Sequence, residues 1–127
     1  MISKNASISV VTSVRNCLAE TKEFLDTLVR FKPHLKMEII LIDDGSEEET
    51  RNFLRQQPGI NLLHNSSSLG FGKSNNMGVS AAIGEWLLFL NNDLVLTQNW
   101  FSPFEYVIKN SSKWRHLGCL EIGRAHV

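Results

Sequence analysis

Only two cysteines, Cys17 and Cys119, occur in the 127 residues, and neither belongs to a CxxC pair. That spacing argues against a structural zinc site and against a disulfide framework, and it leaves a reducing, cytoplasmic setting as the expectation. No apolar run reaches the ~18 residues that cross a bilayer, and the opening Met1-Ile2-Ser3-Lys4-Asn5 has no apolar leader segment. Net charge is missing too. Thirteen basic and thirteen acidic residues cancel, so no overall field would draw a nucleic acid or an anionic membrane, and nucleic acid is not expected as a partner. There is no internal repeat, and the only biased tract is Ser66-Ser67-Ser68. His34, His64 and His116 have no cysteine or carboxylate at metal-ligand spacing and read as surface or packing residues, and His126 lies at the extreme end. Trp86, Trp100 and Trp114 read as core. No Ser–His–Asp or Cys–His set assembles.

What remains is an ordinary globular composition, 43% hydrophobic and 20% charged, in about one domain's length. The last seven residues, Glu121-Ile122-Gly123-Arg124-Ala125-His126-Val127, differ in character. They back-translate as GAG ATC GGA AGA GCA CAC GTC, which resembles a short-read sequencing adapter. Residues 1–120 are therefore read as an incomplete domain and 121–127 as a translated artefact to be kept out of the fold argument.

Short apolar runs alternate with amphipathic stretches, the pattern of βαβ units around a mostly parallel sheet, so the expected class is α/β. Ile8 to Val14 is β-branched and predicts a first strand. Phe24, Leu25, Leu28 and Phe31 recur at helical spacing in a helix from Ala19 to about Phe31, which Pro33 helps to end. Met37 to Ile42 is almost wholly apolar, as in a strand covered on both faces. Asp43-Asp44-Gly45-Ser46 is expected to turn the chain, with Ser46 and Glu49 forming a capping box for a helix running to about Gln56. A short strand over Ile60 to Leu63, a helix from about Lys73 to Ile83 capped by Gly84, and a buried strand from Trp86 to Leu90 follow. Leu94-Val95-Leu96 is expected to continue extended, Trp100 to Ile108 to form a helix, and Leu117 to Leu120 to begin a further strand.

In open parallel sheets, ligands bind outside the carboxyl ends of the strands. The polar residues gather there: Ser13, Arg15 and Asn16, then Asp43 and Asp44, then Asn65 and the turn into Gly70-Phe71-Gly72, then Asn91, Asn92 and Asp93. Asp43 and Asp44 offer acceptors for a base imide or ribose hydroxyls, and equally suit the positive end of the following helix. The glycine-rich entry at Gly70 and Gly72 allows backbone approach to a phosphate, but Gly72 and Gly78 serve equally as a turn and a helix–strand packing contact. It is no P-loop, because the upstream glycine is absent. Asp93 with a nearby amide oxygen suits a hard divalent cation shared with a diphosphate, and the same residues are good turn formers.

Taken in order, Val14-Arg15-Asn16, Ile42-Asp43-Asp44-Gly45-Ser46, Asn65 through Gly70-Phe71 to Asn75-Asn76-Met77-Gly78, and Gly84-Glu85-Trp86 leading to Leu90-Asn91-Asn92-Asp93 resemble family-two glycosyltransferases of the GT-A type, over about Ser7 to Leu120. The Leu-Asn-Asn-Asp form resembles the rhamnosyltransferase-like branch. The resemblance implies the Rossmann-like, nucleotide-binding half of an inverting enzyme, with a UDP- or dTDP-sugar donor and a glycan or lipid-linked acceptor in a longer parent serving cell-wall or polysaccharide synthesis. It implies that Ser13, Asp43 and Asp44 contact the nucleotide and that Asn76 and Asn92 line the nucleotide-sugar pocket. Asn91 and Asp93 fall on the ends of the family's Asp-x-Asp motif, where Asp93 would hold Mn²⁺ or Mg²⁺. Two departures stand out: Ser13 replaces a common proline, and Asn91 replaces the first aspartate. The catalytic base belongs downstream of that motif, so no residue here is assigned the role, and the chain by itself is expected to be inactive. A complete, non-catalytic nucleotide-binding module is the alternative. A nucleotidyltransferase ranks lower because Ser13-Val14-Arg15-Asn16 contains no glycine for a phosphate loop.

Overall fold

The computed structural model describes residues 7–110. Eight elements alternate: β1 (Ser7–Val14), α1 (Leu18–Arg30), β2 (Lys36–Asp44), α2 (Glu48–Arg55), β3 (Asn61–Asn65), α3 (Phe71–Ala81), β4 (Trp86–Phe89) and α4 (Ser102–Asn110). The four strands form one sheet in the order β3-β2-β1-β4, every pair parallel. This is the expected α/β class. The expected strand at Leu117–Leu120 and the segment Glu121–Val127 lie outside the described residues.

Side-chain alternation along the central strands divides the core in two. Ile8, Val10, Val14, Ile39 and Leu41 face a large cluster built with Phe24, Leu25 and Leu28 of α1, Leu54 of α2, and Phe101 and Phe104. Val11, Ile40 and Ile42 face the other way, toward Met77 and Ala81 of α3. Burial on both faces explains why Ile39 to Ile42 of β2 reads as an unbroken apolar run. The β3-to-β4 connection reverses the direction of travel along the sheet. Because parallel crossovers are right-handed, its helix, α3, takes the face opposite α1 and α2. The strand order therefore switches between β1 and β4, and the crevice at their carboxyl ends is the favoured ligand position.

Three local expectations are corrected. β2 continues through Asp43 and Asp44, and the turn begins at Gly45, whose φ of +73° is open to glycine. The Ser46–Glu49 capping box does not form: α2 starts after Glu47, with no side-chain cap from its own segment. The Ser46 hydroxyl instead accepts Asn16 N at 2.9 Å and donates to Val14 O at 3.3 Å, while Asn16 Oδ1 accepts Glu47 N at 2.7 Å. The first turn of α2 is thus capped from the β1–α1 loop. Gly84 does not cap α3, which ends at Ala81 with Ala82 N on Val79 O at 3.2 Å. It is a close-approach glycine: a Cβ there would lie 2.6 Å from both Ser9 N and Ser9 Oγ. Leu94–Leu96 lies outside the ladder and is held by Leu96 N donating to Thr27 Oγ1 at 3.0 Å.

Candidate functional site

Register brings the expected residues to one edge of the sheet but not to one face of it. Val14 pairs with Asp43, and Asp44 with Asn65, so the ends of β1, β2 and β3 are level. Neighbouring strand residues point to opposite faces. Asp43, fully buried, therefore turns toward the α1–α2 side, where its Oδ1 accepts Ser46 N at 2.9 Å and its Oδ2 lies 3.0 Å from His64 Nδ1. The pairing of His64, taken from the sequence as a surface or packing residue, arises from β2–β3 register, which linear spacing does not reveal.

Asp44 turns toward α3. Its Oδ1 accepts Asn65 Nδ2 at 3.0 Å and Leu69 N at 2.7 Å, and its Oδ2 accepts Ser68 Oγ and Gly70 N, each at 3.0 Å. Burial by itself would raise the pKa of this carboxyl. The Leu69 N–H and the Asn65, Ser68 and Ser74 side chains outweigh that and bring it down from 3.8 to about 2. Asn65 Nδ2 also reaches Ser74 Oγ at 3.3 Å, tying β3, the serine-rich loop and α3 to one anion. The charge at the entrance to α3 is thus supplied by the protein's own Asp44, in the position where the sequence suggested a phosphate.

Ser13 lies on the α3 side of the sheet and is partly exposed. Asn76 is exposed on α3, its carbonyl accepting Ser80 Oγ at 3.1 Å. Its neighbour Asn75 is buried, and its Oδ1 has no hydrogen-bond partner. A Cβ on Gly78 would meet Val11 Cγ1 at 2.4 Å and Ile42 Cδ1 at 2.9 Å, so Gly78 is the helix–sheet packing glycine. Asn75, nearly one turn earlier on a helix running back from the rim, lies closer to the carboxyl ends. Sequence reasoning passed over it, because only burial separates Asn75 from Asn76.

After β4 the chain turns, with Leu94 N donating to Asn91 O at 3.4 Å. Asn91 is buried, Asn92 is half-buried and donates through Nδ2 to Thr21 Oγ1 at 3.0 Å, and Asp93 is exposed. Asn92 thus leans toward α1 and braces the turn, presenting Asp93 to solvent. Among the described residues no three His, Cys, Asp or Glu side chains gather into a metal cluster. One carboxylate, Asp93, and the Asn91 amide are a donor set that suits a hard cation whose remaining ligands are diphosphate and water. No helix among the described residues is long and apolar enough to cross a membrane.

Comparison with known proteins gives the family and the fold. The sequence model of the family described as Glycosyl transferase family 2 matches residues 9–112. Glycosyltransferase GlyG of Streptococcus pneumoniae serotype 4 is 29% identical over 96 residues, which is 72% of this chain and 32% of GlyG. Among solved structures, S. aureus TarS 1-349 in complex with UDP-GlcNAc superposes with a TM-score of 0.70 at 22% identity, covering 81% of this chain and 31% of that one. The mannosyltransferase PcManGT from Pyrobaculum calidifontis, in complex with GDP-Man and Mn²⁺, superposes at 0.62 and 20% identity, covering 72% and 29%. The fold is that of GT-A glycosyltransferases, and this chain spans about a third of the length of these proteins.

Proposed function

The chain belongs to glycosyl transferase family 2, and from that premise we propose that it is the nucleotide-sugar-binding part of a longer inverting glycosyltransferase, of the rhamnosyltransferase-like branch. The observation that carries this reading is the gathering of Ser13, Asp44, Asn65, Asn75 and the Asn91-Asn92-Asp93 turn at the carboxyl edge of a parallel sheet whose order switches between β1 and β4. Asp44 and Ser13 take the base and ribose, Asn76 and the buried Asn75 line the α3 side, and Asp43 positions the β2–α2 turn through Ser46. Asn92 acts mainly by fixing the turn on Thr21. The reading calls for a UDP- or dTDP-sugar and Mn²⁺ or Mg²⁺; the nucleotide-sugar class is supported by TarS with UDP-GlcNAc and by PcManGT with GDP-Man and Mn²⁺.

Chemically, these residues bind and orient. Asp93, with the Asn91 amide, would hold the divalent cation. When bound, that ion neutralises the diphosphate as leaving group. Inverting transfer also needs a carboxylate to take the acceptor hydroxyl's proton, and no residue of the described chain is assigned to that step. The acceptor, a glycan or lipid-linked sugar, and the base belong in this reading to the longer parent, acting in the cytoplasm. Residues 1–120 are then its incomplete donor domain and 121–127 a translated adapter.

The test is calorimetric titration of the chain with UDP, dTDP and GDP, each with and without Mn²⁺. Saturable, metal-strengthened binding of UDP or dTDP, lost in Asp44→Asn, is expected. No binding of any of the three nucleotides would overturn the reading.

A further inference from the structure

The loop from Ser66 to Gly70 is folded down onto the carboxyl end of β2. A Cβ at Gly45 would lie 2.6 Å from Ser68 N and 2.9 Å from Ser67 C, so the loop rests directly on the backbone beside Asp44. Asp44 is only 3% exposed, and its two oxygens take four donors. An ionised carboxylate has about four acceptor positions, so the set is full. A ligand donor can enter only by replacing one already present.

The four differ in how firmly they are held. Leu69 N and Gly70 N are backbone groups at the entrance to α3. Asn65 is buried on β3 and shared with Ser74. Ser68, by contrast, is exposed, and its hydroxyl leaves Oδ2 by a turn about one side-chain bond, with no backbone movement.

We propose that Ser68 is an internal occupant of the nucleotide's place on Asp44, and that it sets donor affinity because its hydroxyl must swing away before an imide N–H or ribose hydroxyl takes Oδ2. This rests on the reading of Asp44 as a nucleotide contact. The exchange trades one hydrogen bond for another at the same oxygen, while the two backbone bonds keep the carboxylate in place.

The experiment is calorimetric titration of the chain with UDP in the presence of Mn²⁺, for the wild type, Ser68→Ala, Ser68→Thr and Asp44→Asn, with circular dichroism confirming that each is folded. Removing the competing hydroxyl is expected to tighten binding about five-fold, the worth of one net hydrogen bond of ~1 kcal/mol. Ser68→Thr, which keeps the hydroxyl, is expected to bind like the wild type. Ser68→Ala binding no tighter than wild type, while Asp44→Asn still loses UDP, would overturn the exchange and leave the nucleotide reading standing. Nucleotide binding that is indifferent to Asp44→Asn, or absent in the wild type for UDP, dTDP and GDP alike, would overturn both.

Discussion

At the scale of single residues, Asp44 concentrates stability and, in the proposed reading, binding. Its folded-state pKa of about 2 lies below the ordinary 3.8, so it contributes stability that is fully present above the unfolded value and is lost as pH falls through the folded one. The shift corresponds to about 2 kcal/mol. Urea unfolding of wild type and Asp44→Asn should therefore differ by about that much at pH 7, and the gap should narrow between pH 4 and pH 2. A gap that stays constant over that range would mean the carboxylate's charge is not what holds the loop. The motif Asp43-Asp44-Gly45-Ser46 was legible as a strand end with acceptors. Its partners were not, because Asn65, Ser68, Leu69 and Gly70 lie 21 to 26 residues away and meet Asp44 only once β2 and β3 pair.

At the scale of elements, three glycines that look alike in sequence have different duties. Gly72 stands within α3 with nothing within 4 Å of a built Cβ, so Gly72→Ala should stabilise the protein by about 0.5–1 kcal/mol through helix propensity. Gly78→Ala drives a methyl into Val11 and Ile42 and Gly84→Ala drives one into the Ser9 backbone, so each should cost about 1–3 kcal/mol. Thermal melts of the three variants would separate them, and a neutral Gly84→Ala would mean that the Ser9 backbone does not hold residue 84 to glycine. The strands were legible as short apolar, β-branched runs and the helices from periodicity, since β1 and β2 are buried along most of their length. The α2 cap was not. Ser46 and Glu49 satisfy the local i, i+3 pattern, but Asn16, some 30 residues earlier and itself at φ 60°, reaches Glu47 N first. Asn16→Ala should lose that cap and strain the loop, whereas Asn16→Gly loses the cap alone. Urea unfolding should accordingly show the alanine variant as the less stable, with about 1–2 kcal/mol lost for the cap.

At the scale of the whole molecule, the formal net charge is +0, so no general field draws a nucleotide diphosphate in. Asp43 and Asp44 place two carboxylates near the proposed site, and Asp44 already neutralises the entrance to α3. In the proposed reading the negative charge of a diphosphate must then be met locally, and the exposed Asp93 would hold a cation for it. Metal should therefore matter more than ionic strength. Chelation is expected to weaken UDP binding about ten-fold or more, the effect of losing a few charge-assisted contacts, whereas added sodium chloride should change it far less. Asn91→Asp, which supplies a second carboxylate at the start of the turn, should tighten the Mn²⁺ dependence, and Asp93→Ala should abolish it. UDP affinity that ignores chelation but falls steeply with salt would assign the diphosphate instead to basic side chains at the rim, with Arg15 and Lys73, both exposed there, the first to substitute.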